Sequence, residues 1–343
     1  MSTSLSFVTV DVFTSTRLAA GNPLAIVKVP SSTRLSQDRK QLIAREFNYS
    51  ETVFLHERDD SRRDVDVDEH ICVWEIDIFT TDSELPFAGH PTIGTACHVL
   101  SQLASSAPWY GGQRSVIGTL ITKAGKMELQ YFPKTHLAKA SIPHEVHVHQ
   151  STISREQLSK WQPGLGAAVE RNTAQLPEHW PIVSIVKGMA FALISLDSLQ
   201  TLGRVATGAF TPEASLDAGP WHESFLALMF YVRLPDADVA TPVAPAAAAA
   251  AANDGTQHFR TRMIQGPLED PATGSASAAL AAYLTLEQGV ASGVTKYGFT
   301  QGVEMGRKSE IGVEVTLDED RSIKTVDLVG GAVQVMEGRI ATT

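Results

Sequence analysis

One seven-residue pattern occurs twice in the chain, about 185 residues apart, and constrains the fold more than any other feature of the sequence. The copies are Glu84–His90 (ELPFAGH) and Glu269–Ser275 (EDPATGS), which share a glutamate, a proline and a glycine at the same spacing. Each copy precedes a helical segment rich in small and apolar residues. Repeats at so long a spacing indicate two related halves, since a solenoid repeats every roughly 20 to 50 residues.

Composition limits the class of protein further. The chain has 343 residues, 43% of them hydrophobic, which is enough for a core in each of two domains. The net charge of −10 argues against nucleic acid as the main partner. With only Cys72 and Cys97, we expect no disulfide framework and a reducing, cytoplasmic location. We also expect no signal peptide and no membrane contact, since no apolar run reaches about 18 residues.

Hydrophobic periodicity predicts strands and helices around the repeated pattern. The clearest elements are an amphipathic helix over 36–47, a strand over 51–55, helices over about 91–103 and 273–288, and a hairpin about Gly125. Two segments lack such periodicity. We interpret the charged segment 56–70 as a solvated hairpin tip and the alanine-rich segment 239–255 as a flexible insertion.

The two predicted helix starts suggest a chemical role. A helix N-terminus offers unpaired backbone N–H groups and the positive end of the helix dipole. Two of them facing one cleft would bind a carboxylate and stabilise negative charge that develops beside it, which proton abstraction at the neighbouring carbon requires. The alternative is that both are ordinary helix starts, with Asp270 as the cap and Pro271 at the first helical position.

Further motifs resemble those of the phenazine biosynthesis-like (PhzF-like) family and follow one another in the order found there. The resemblance covers nearly the whole chain and is weakest over about 137–252. The matching segments are DVFT (11–14), GNPL (21–24), REFNYSETVF (45–54), LPFAGHPT (85–92), EDPATGSA (269–276), MGR (305–307) and GGAV (330–333).

The resemblance implies an α+β fold similar to diaminopimelate epimerase. Two similar domains would each wrap a mixed sheet around a central helix, with the active site in the interdomain cleft. Because the last residues of such chains return to the first domain, we place the first domain at 1–125 plus about 335–343, and the second at 126–334 with the insertion at about 239–255. The resemblance also implies that the protein is a homodimer, that it uses neither a metal nor an organic cofactor, and that it binds a small carboxylate-bearing substrate.

The family's catalytic acid/base glutamate falls on Glu51, which alone could be a solvated strand end. His90 would hydrogen-bond the substrate or the moving proton, although it could equally cap or pack. Asp270 would hold an amino or hydroxyl group, and Ser275 would bind the substrate carboxylate. The catalytic candidates are thus Glu51, His90 and Asp270, and the substrate-binding candidates are Asn22, Gly89, Pro91, Thr273, Gly274 and Ser275.

A difference from related enzymes indicates the reaction. Diaminopimelate epimerase and proline racemase use two cysteines, one at each helix start, where this chain has His90 and Ser275. Cys97 lies two turns into its helix and is expected in the core, as is Cys72 in its strand. The sequence therefore predicts an isomerase that shifts a proton with a single glutamate. A non-catalytic binding protein and a lyase or epimerase using the same cleft remain open alternatives.

Other site signals are weak. His144, His147 and His149 could suggest a metal, and the last two would share one face of a strand, but no convincing third ligand is near in the sequence. Gly164-Leu165-Gly166 lacks the third glycine and preceding strand of a dinucleotide site. Neither a phosphate-binding loop nor a G-x-S-x-G serine motif occurs. We therefore predict no metal and no cofactor.

Overall fold

The structure, a computed structural model, describes residues 4–57, 72–106, 114–222, 224–235, 255–289 and 292–342. Most of the charged segment 56–70 and nearly all of the alanine-rich segment 239–255 lie outside these residues, so both interpretations stay predictions. Among the described helices, none combines the length and apolar character needed to cross a bilayer.

The chain falls into two compact units. One is formed chiefly by Met1–Pro143 and Leu328–Thr343, and the other chiefly by His144–Pro242 and Ala251–Asp327.

The first unit is a mixed sheet with two helices. Its elements are β1 (Ser4–Val12), β2 (Asn22–Val29), α1 (Gln37–Phe47), β3 (Thr52–His56), β4 (Cys72–Phe79), β5 (Glu84–Leu85), α2 (Gly89–Ser106), β6 (Val116–Thr122), β7 (Gly125–Phe132), β8 (Leu137–Ser141) and the end of β17 (Ile323–Ala341), which pairs with β1. Strands β6 and β7 form a hairpin about Gly125, which a domain border at residue 125 would cut. The unit therefore extends beyond the predicted border, through β8.

The second unit is also a mixed sheet, and it contains most of the segment 137–252, over which the family resemblance is weakest. Its elements are β9 (His147–Ser154), α3 (Arg155–Trp161), α4 (Pro163–Glu170), β10 (His179–Val186), β11 (Met189–Ser195), α5 (Leu199–Leu202), β12 (Phe225–Arg233), β13 (Gln257–Gln265), β14 (Leu268–Asp270), α6 (Gly274–Glu287), β15 (Gly293–Gln301), β16 (Ser309–Leu317) and the beginning of β17. A short 3-10 helix, Gly219–Trp221, precedes β12.

The two units repeat one topology. In the first, β1–β2, β3–β4, β4–β5 and β6–β7 pair antiparallel, whereas β2–β3 and β4–β6 pair parallel. In the second, β10–β11, β12–β13, β13–β14 and β15–β16 pair antiparallel, whereas β11–β12 and β13–β15 pair parallel. Helices α2 and α6 occupy equivalent places, each following the short strand that carries the repeated sequence pattern.

These two helices form the centres of their units. All residues of α2 from Gly89 to Leu100 are buried, and the helix contacts β1, β2, β3, β6, β7 and β8. In α6 the first nine residues are buried, most of them alanine or serine, and the helix contacts β10, β11, β15 and β16. A helix without a polar face is stable only when it is enclosed. Small side chains on α6 allow the strands to approach it closely.

Candidate active site

Glu51 lies at the start of β3, directly after the turn that ends α1. Asn48 ends α1 in a left-handed conformation (φ 52°), and its N–H donates to the carbonyl of Ala44. From Thr52 onward the chain pairs in parallel with β2. The Glu51 side chain is only 17% exposed. The alternative of a solvated strand end therefore does not fit the structure.

Polar side chains surround the Glu51 carboxyl in the first unit. His90 lies in the first turn of α2 and is buried, and its Nδ1 is 3.5 Å from Glu51 Oε2. The same Nδ1 is 3.5 Å from Nδ2 of Asn22, a buried residue at the start of β2. Ser50 Oγ donates to Asn22 Oδ1 at 3.4 Å. The structure thus brings together three predicted site residues from separate segments of the chain.

Two more candidates flank His90. Gly89 and Pro91 are both buried in the first turn of α2, so that His90 is carried by backbone that the surrounding strands hold in place. The sequence explains this placement, because the last two residues of the repeated pattern, Gly89 and His90, are also the first two residues of α2.

Burial changes the acid strength of Glu51. It raises the pKa of the carboxyl from 4.5 to about 7, although a hydrogen bond from Ser50 opposes the shift. Burial disfavours the charged form of a carboxyl group, because the ionised oxygens lose their hydration. Near neutral pH, Glu51 is therefore able both to accept and to donate a proton.

The raised pKa predicts a pH-dependent gain in stability for Glu51→Gln. The carboxylate destabilises the folded chain, so the wild type loses stability between the unfolded pKa of 4.5 and the folded pKa of about 7. One pKa unit corresponds to about 1.4 kcal/mol, so we expect the variant to be more stable than the wild type by up to about 3 kcal/mol above pH 7. Urea unfolding across this pH range measures the difference. Equal differences at acidic and alkaline pH would contradict the raised pKa.

In the second unit, α6 begins at Gly274, with Thr273 as its N-cap residue. The Thr273 hydroxyl does not cap the helix but donates to Asp270 Oδ2 at 2.6 Å. Asp270 is therefore not the helix cap, and Pro271 does not occupy the first helical position. The interpretation of this segment as an ordinary capped helix start is wrong, because both residues precede the helix.

Gln301, at the end of β15, holds this loop and was missed by the sequence analysis. Its side chain is fully buried. Nε2 donates to the Asp270 carbonyl at 2.8 Å and to Thr273 Oγ1 at 3.0 Å, and Oε1 accepts from the Thr273 N–H at 3.2 Å. Because the Thr273 hydroxyl oxygen accepts from Gln301 Nε2, its own proton is directed to the Asp270 carboxylate, to which it donates. Gln301 thus positions two of the predicted site residues.

Gly302 fixes the same strand end against the loop. It has a φ of +73°, and an added Cβ would lie 2.4 Å from the Arg307 carbonyl oxygen and 2.6 Å from that of Pro271. Only glycine fits such a close backbone approach. On the other side, Arg262 forms a bidentate, mostly buried ion pair with Glu269, the residue before Asp270. The loop is therefore held at both ends.

Gly274 and Ser275 form the first turn of α6. Both are buried, with Ser275 7% exposed. The first N–H groups of a helix have no intrahelical acceptor and attract anions. Together with the Ser275 hydroxyl, this helix start has the groups that bind a carboxylate.

Neither cysteine lies at a helix start. Cys97 is buried inside α2, with Sγ 3.6 Å from the Gly330 carbonyl oxygen. Burial raises the pKa of its thiol to about 12. Cys72 begins β4. The thiol of Cys97 is therefore a poor proton acceptor, as expected for a core residue.

The histidines that the sequence analysis set aside do gain a third neighbour. His147 and His149 share one face of β9, and Asp217, far along the chain, lies beside them, with its Oδ2 2.9 Å from His147 Nε2. His144 is placed elsewhere, with Nε2 3.4 Å from the Ile323 carbonyl oxygen. No local spacing could have indicated Asp217.

The fold and these residues define a class of protein. It has two units of one topology, and each unit contains a buried helix that starts among polar residues. The Glu51 carboxyl group lies beside the start of α2. The sequence profile of the phenazine biosynthesis-like protein family matches residues 10–338. The chain belongs to this family, which confirms the resemblance seen in its motifs.

Individual relatives extend over nearly the same length. An uncharacterized isomerase of Mesorhizobium japonicum is 29% identical over 337 residues, 96% of each chain. The trans-2,3-dihydro-3-hydroxyanthranilate isomerase of Pseudomonas aeruginosa is 26% identical over 336 residues, covering 97% of this chain and 98% of the relative. A Bacillus anthracis protein of the PhzF family has the same fold, with a TM-score of 0.69 at 20% identity, covering 98% of this chain and 99% of that one.

Proposed function

We propose that this protein is an isomerase that moves a proton within a small carboxylate-bearing substrate, with Glu51 as its single acid/base. The observation that carries the proposal is the buried Glu51 carboxyl, whose pKa is raised to about 7 beside His90. A group with a pKa near the working pH is the most effective proton carrier. The isomerase names of two full-length relatives support the reaction class.

In this mechanism the Glu51 carboxylate takes a proton from one substrate carbon. The electron pair left behind is delocalised toward the substrate carboxylate, and Glu51, now protonated, returns the proton to a second carbon. No electron is gained or lost overall, so the step needs no redox partner. Backbone N–H groups at a helix start would stabilise the negative charge of the intermediate.

His90 would assist the proton transfer. The Asn22 amide, 3.5 Å away, can donate to Nδ1, which leaves the ring proton on Nε2. In this tautomer, Nε2 is the donor offered to the substrate. Asn22 would then act on the substrate through His90 and not by direct contact.

The residues at the α6 start would bind the substrate. We assign its carboxylate to the Ser275 hydroxyl and the first N–H groups of α6, and a substrate amino or hydroxyl group to Asp270. The Gln301–Thr273–Asp270 hydrogen bonds support this assignment, because they hold the aspartate before any ligand arrives.

Two alternatives are less well supported. Inversion by two thiols would need a cysteine at each helix start, whereas Cys97 lies inside α2 with a pKa of about 12. A pure binding protein would gain nothing from a carboxyl group whose ionisation destabilises its own fold. The buried Glu51 therefore favours an enzyme.

A substrate screen tests the proposed function. The purified chain is mixed with trans-2,3-dihydro-3-hydroxyanthranilate, named in the Pseudomonas aeruginosa relative, and with a panel of small unsaturated or amino carboxylates. Proton NMR in D₂O reports both isomer formation and deuterium at carbon. We expect an isomer of at least one compound, formed by the wild type and not by Glu51→Gln. Conversion at equal rates by both proteins would contradict the proposal.

Ser275→Ala is expected to raise KM for the substrate while kcat changes little. The proposed contact to the carboxylate exists in both the ground state and the transition state, so its loss weakens both equally. The matched control is Ser277→Ala in the same helix, whose buried hydroxyl has no hydrogen-bond partner among the described residues. A fall in kcat with KM unchanged would instead place Ser275 in the chemical step.

The proposed proton transfer uses no metal and no organic cofactor, so turnover should survive extensive dialysis against a chelator. Homodimer formation and a cytoplasmic location also remain predictions. Light scattering of the purified chain tests the dimer, and a monomeric mass would contradict it.

A further inference from the structure

The second unit contains a cluster of metal-ligand side chains that includes none of the residues assigned to proton transfer or substrate binding. His147 and His149 project from the same face of β9, with ring centroids 4.8 Å apart. Asp217 reaches them from the loop before β12, with Oδ2 2.9 Å from His147 Nε2 and Oδ1 4.0 Å from His149 Nδ1. One ligand atom from each residue lies within 4.8 Å of the others.

His149 is prepared to act as a ligand. Its side chain is completely buried, its Nε2 lies 2.9 Å from Ser184 Oγ, and its Nδ1 accepts a long, 3.2 Å hydrogen bond from the Asp217 N–H. The proton therefore resides on Nε2, and the Nδ1 lone pair points toward Asp217. A neutral ring that donates its other N–H to a fixed acceptor is typical of metal-bound histidine.

The other two side chains are also held in place. The Gln150 N–H donates to both carboxylate oxygens of Asp217, at 3.2 and 3.3 Å. His147 Nε2 hydrogen-bonds to Asp217 Oδ2 at 2.9 Å. The His147 ring stacks on Trp221, with centroids 4.6 Å apart and planes 6° from parallel. The three groups therefore converge without large freedom of rotation.

We propose that His147, His149 and Asp217 form a binding site for a divalent transition metal, with Zn²⁺ as the best match. Two imidazole nitrogens and one carboxylate oxygen suit zinc, which binds such ligands at about 2.0–2.2 Å and accepts water as a fourth ligand. The three ligand atoms, which lie within 4.8 Å of one another, would have to draw closer together to surround an ion. Zinc would replace the proton that His147 Nε2 and Asp217 Oδ2 share in their hydrogen bond. Its bond to His149 Nδ1 would replace the long hydrogen bond from the Asp217 N–H.

A site of this kind would join β9 to the loop that precedes β12. Without the ion, that connection rests on hydrogen bonds, including the one from Ser151 Oγ to the Ser215 carbonyl, on the stacking of His147 against Trp221, and on the hydrophobic cluster that contains both Ile153 and Leu216. The proposal does not depend on the proposed isomerase activity, because no residue is shared.

Calorimetric titration of Zn²⁺ into the full-length chain, freed of metal by EDTA and carrying no histidine tag, tests the site. We expect one zinc per chain with a dissociation constant in the micromolar range or below, and a higher thermal midpoint with zinc. Co²⁺ serves as a second probe, since its visible absorption reports a four- or five-coordinate ion with nitrogen ligands.

Matched variants locate the site. His147→Phe retains the ring that stacks on Trp221 and removes the ligand, and Asp217→Asn retains an acceptor for the Gln150 N–H. Each should weaken zinc binding at least about tenfold. The control His179→Phe changes an exposed histidine of β10 and should bind zinc as the wild type does. The proposal is wrong if the wild type binds no zinc, if both site variants bind it normally, or if His179→Phe alone loses it.

Discussion

Glu51→Gln is expected to lower turnover about 10²- to 10⁴-fold, the usual contribution of a general acid/base. The amide is close in size to the carboxylic acid, and burial raises the pKa of Glu51 to about 7, so the fold accommodates a neutral side chain at this position. The cleavage and formation of C–H bonds, however, needs a group that accepts and returns a proton, which an amide cannot do. Substrate affinity and folding should therefore survive while the reaction is lost.

The matched control is Glu46→Gln, the same substitution at an exposed position of α1. It should turn over substrate at the wild-type rate. If Glu51→Gln retained near-normal turnover, the single-glutamate mechanism would be wrong. His90 or Asp270 would then become the candidate base, and their substitution the next experiment.

Gln301→Leu is expected to reduce the free energy of unfolding by at least about 3 kcal/mol. Leucine leaves the Asp270 carbonyl and the Thr273 N–H and hydroxyl without the hydrogen bonds that Gln301 provides, in a buried place. A buried polar group that loses its partner costs about 1–3 kcal/mol. The gain in apolar surface is small beside this, because glutamine already fills the space.

The control for this substitution is Gln334→Leu at an exposed position of β17, which should change stability by no more than about 0.5 kcal/mol. Urea unfolding compares the two variants. Equal stability of both would show that the Gln301 hydrogen bonds do not hold the α6 start. Asp270 would then have to be positioned by its ion-paired neighbour Glu269 and by Gly302.

The repeated sequence pattern was sufficient to predict the places of α2 and α6. Each copy ends in a glycine and one polar residue, and in both units the helix begins at that glycine. Helix α3 could also have been found, since Ser154 and Gln157 have capping-box spacing and the structure contains both of its hydrogen bonds. These signals are local, so the sequence shows them directly.

Contacts between distant segments could not be predicted in the same way. Gln301 lies 28 residues from Thr273, and Asp217 lies 68 from His149, so only the completed sheet brings each pair together. Asp270 illustrates the same limit. Its sequence context is that of a helix cap, yet Gln301 directs the Thr273 hydroxyl to it, and the helix starts later. The position of Glu51 followed from the family motif, whereas its burial and raised pKa required the fold.

The dependence of kcat/KM on pH tests the role of Glu51 most directly, once the screen has supplied a substrate. For the wild type, kcat/KM reports the free enzyme and should rise with pH through an apparent pKa near 7, as Glu51 becomes the carboxylate. Glu51→Gln should show only a low residual rate without this transition. A wild-type profile that is flat through neutral pH, or the same transition in Glu51→Gln, would contradict the assignment of Glu51 as the acid/base.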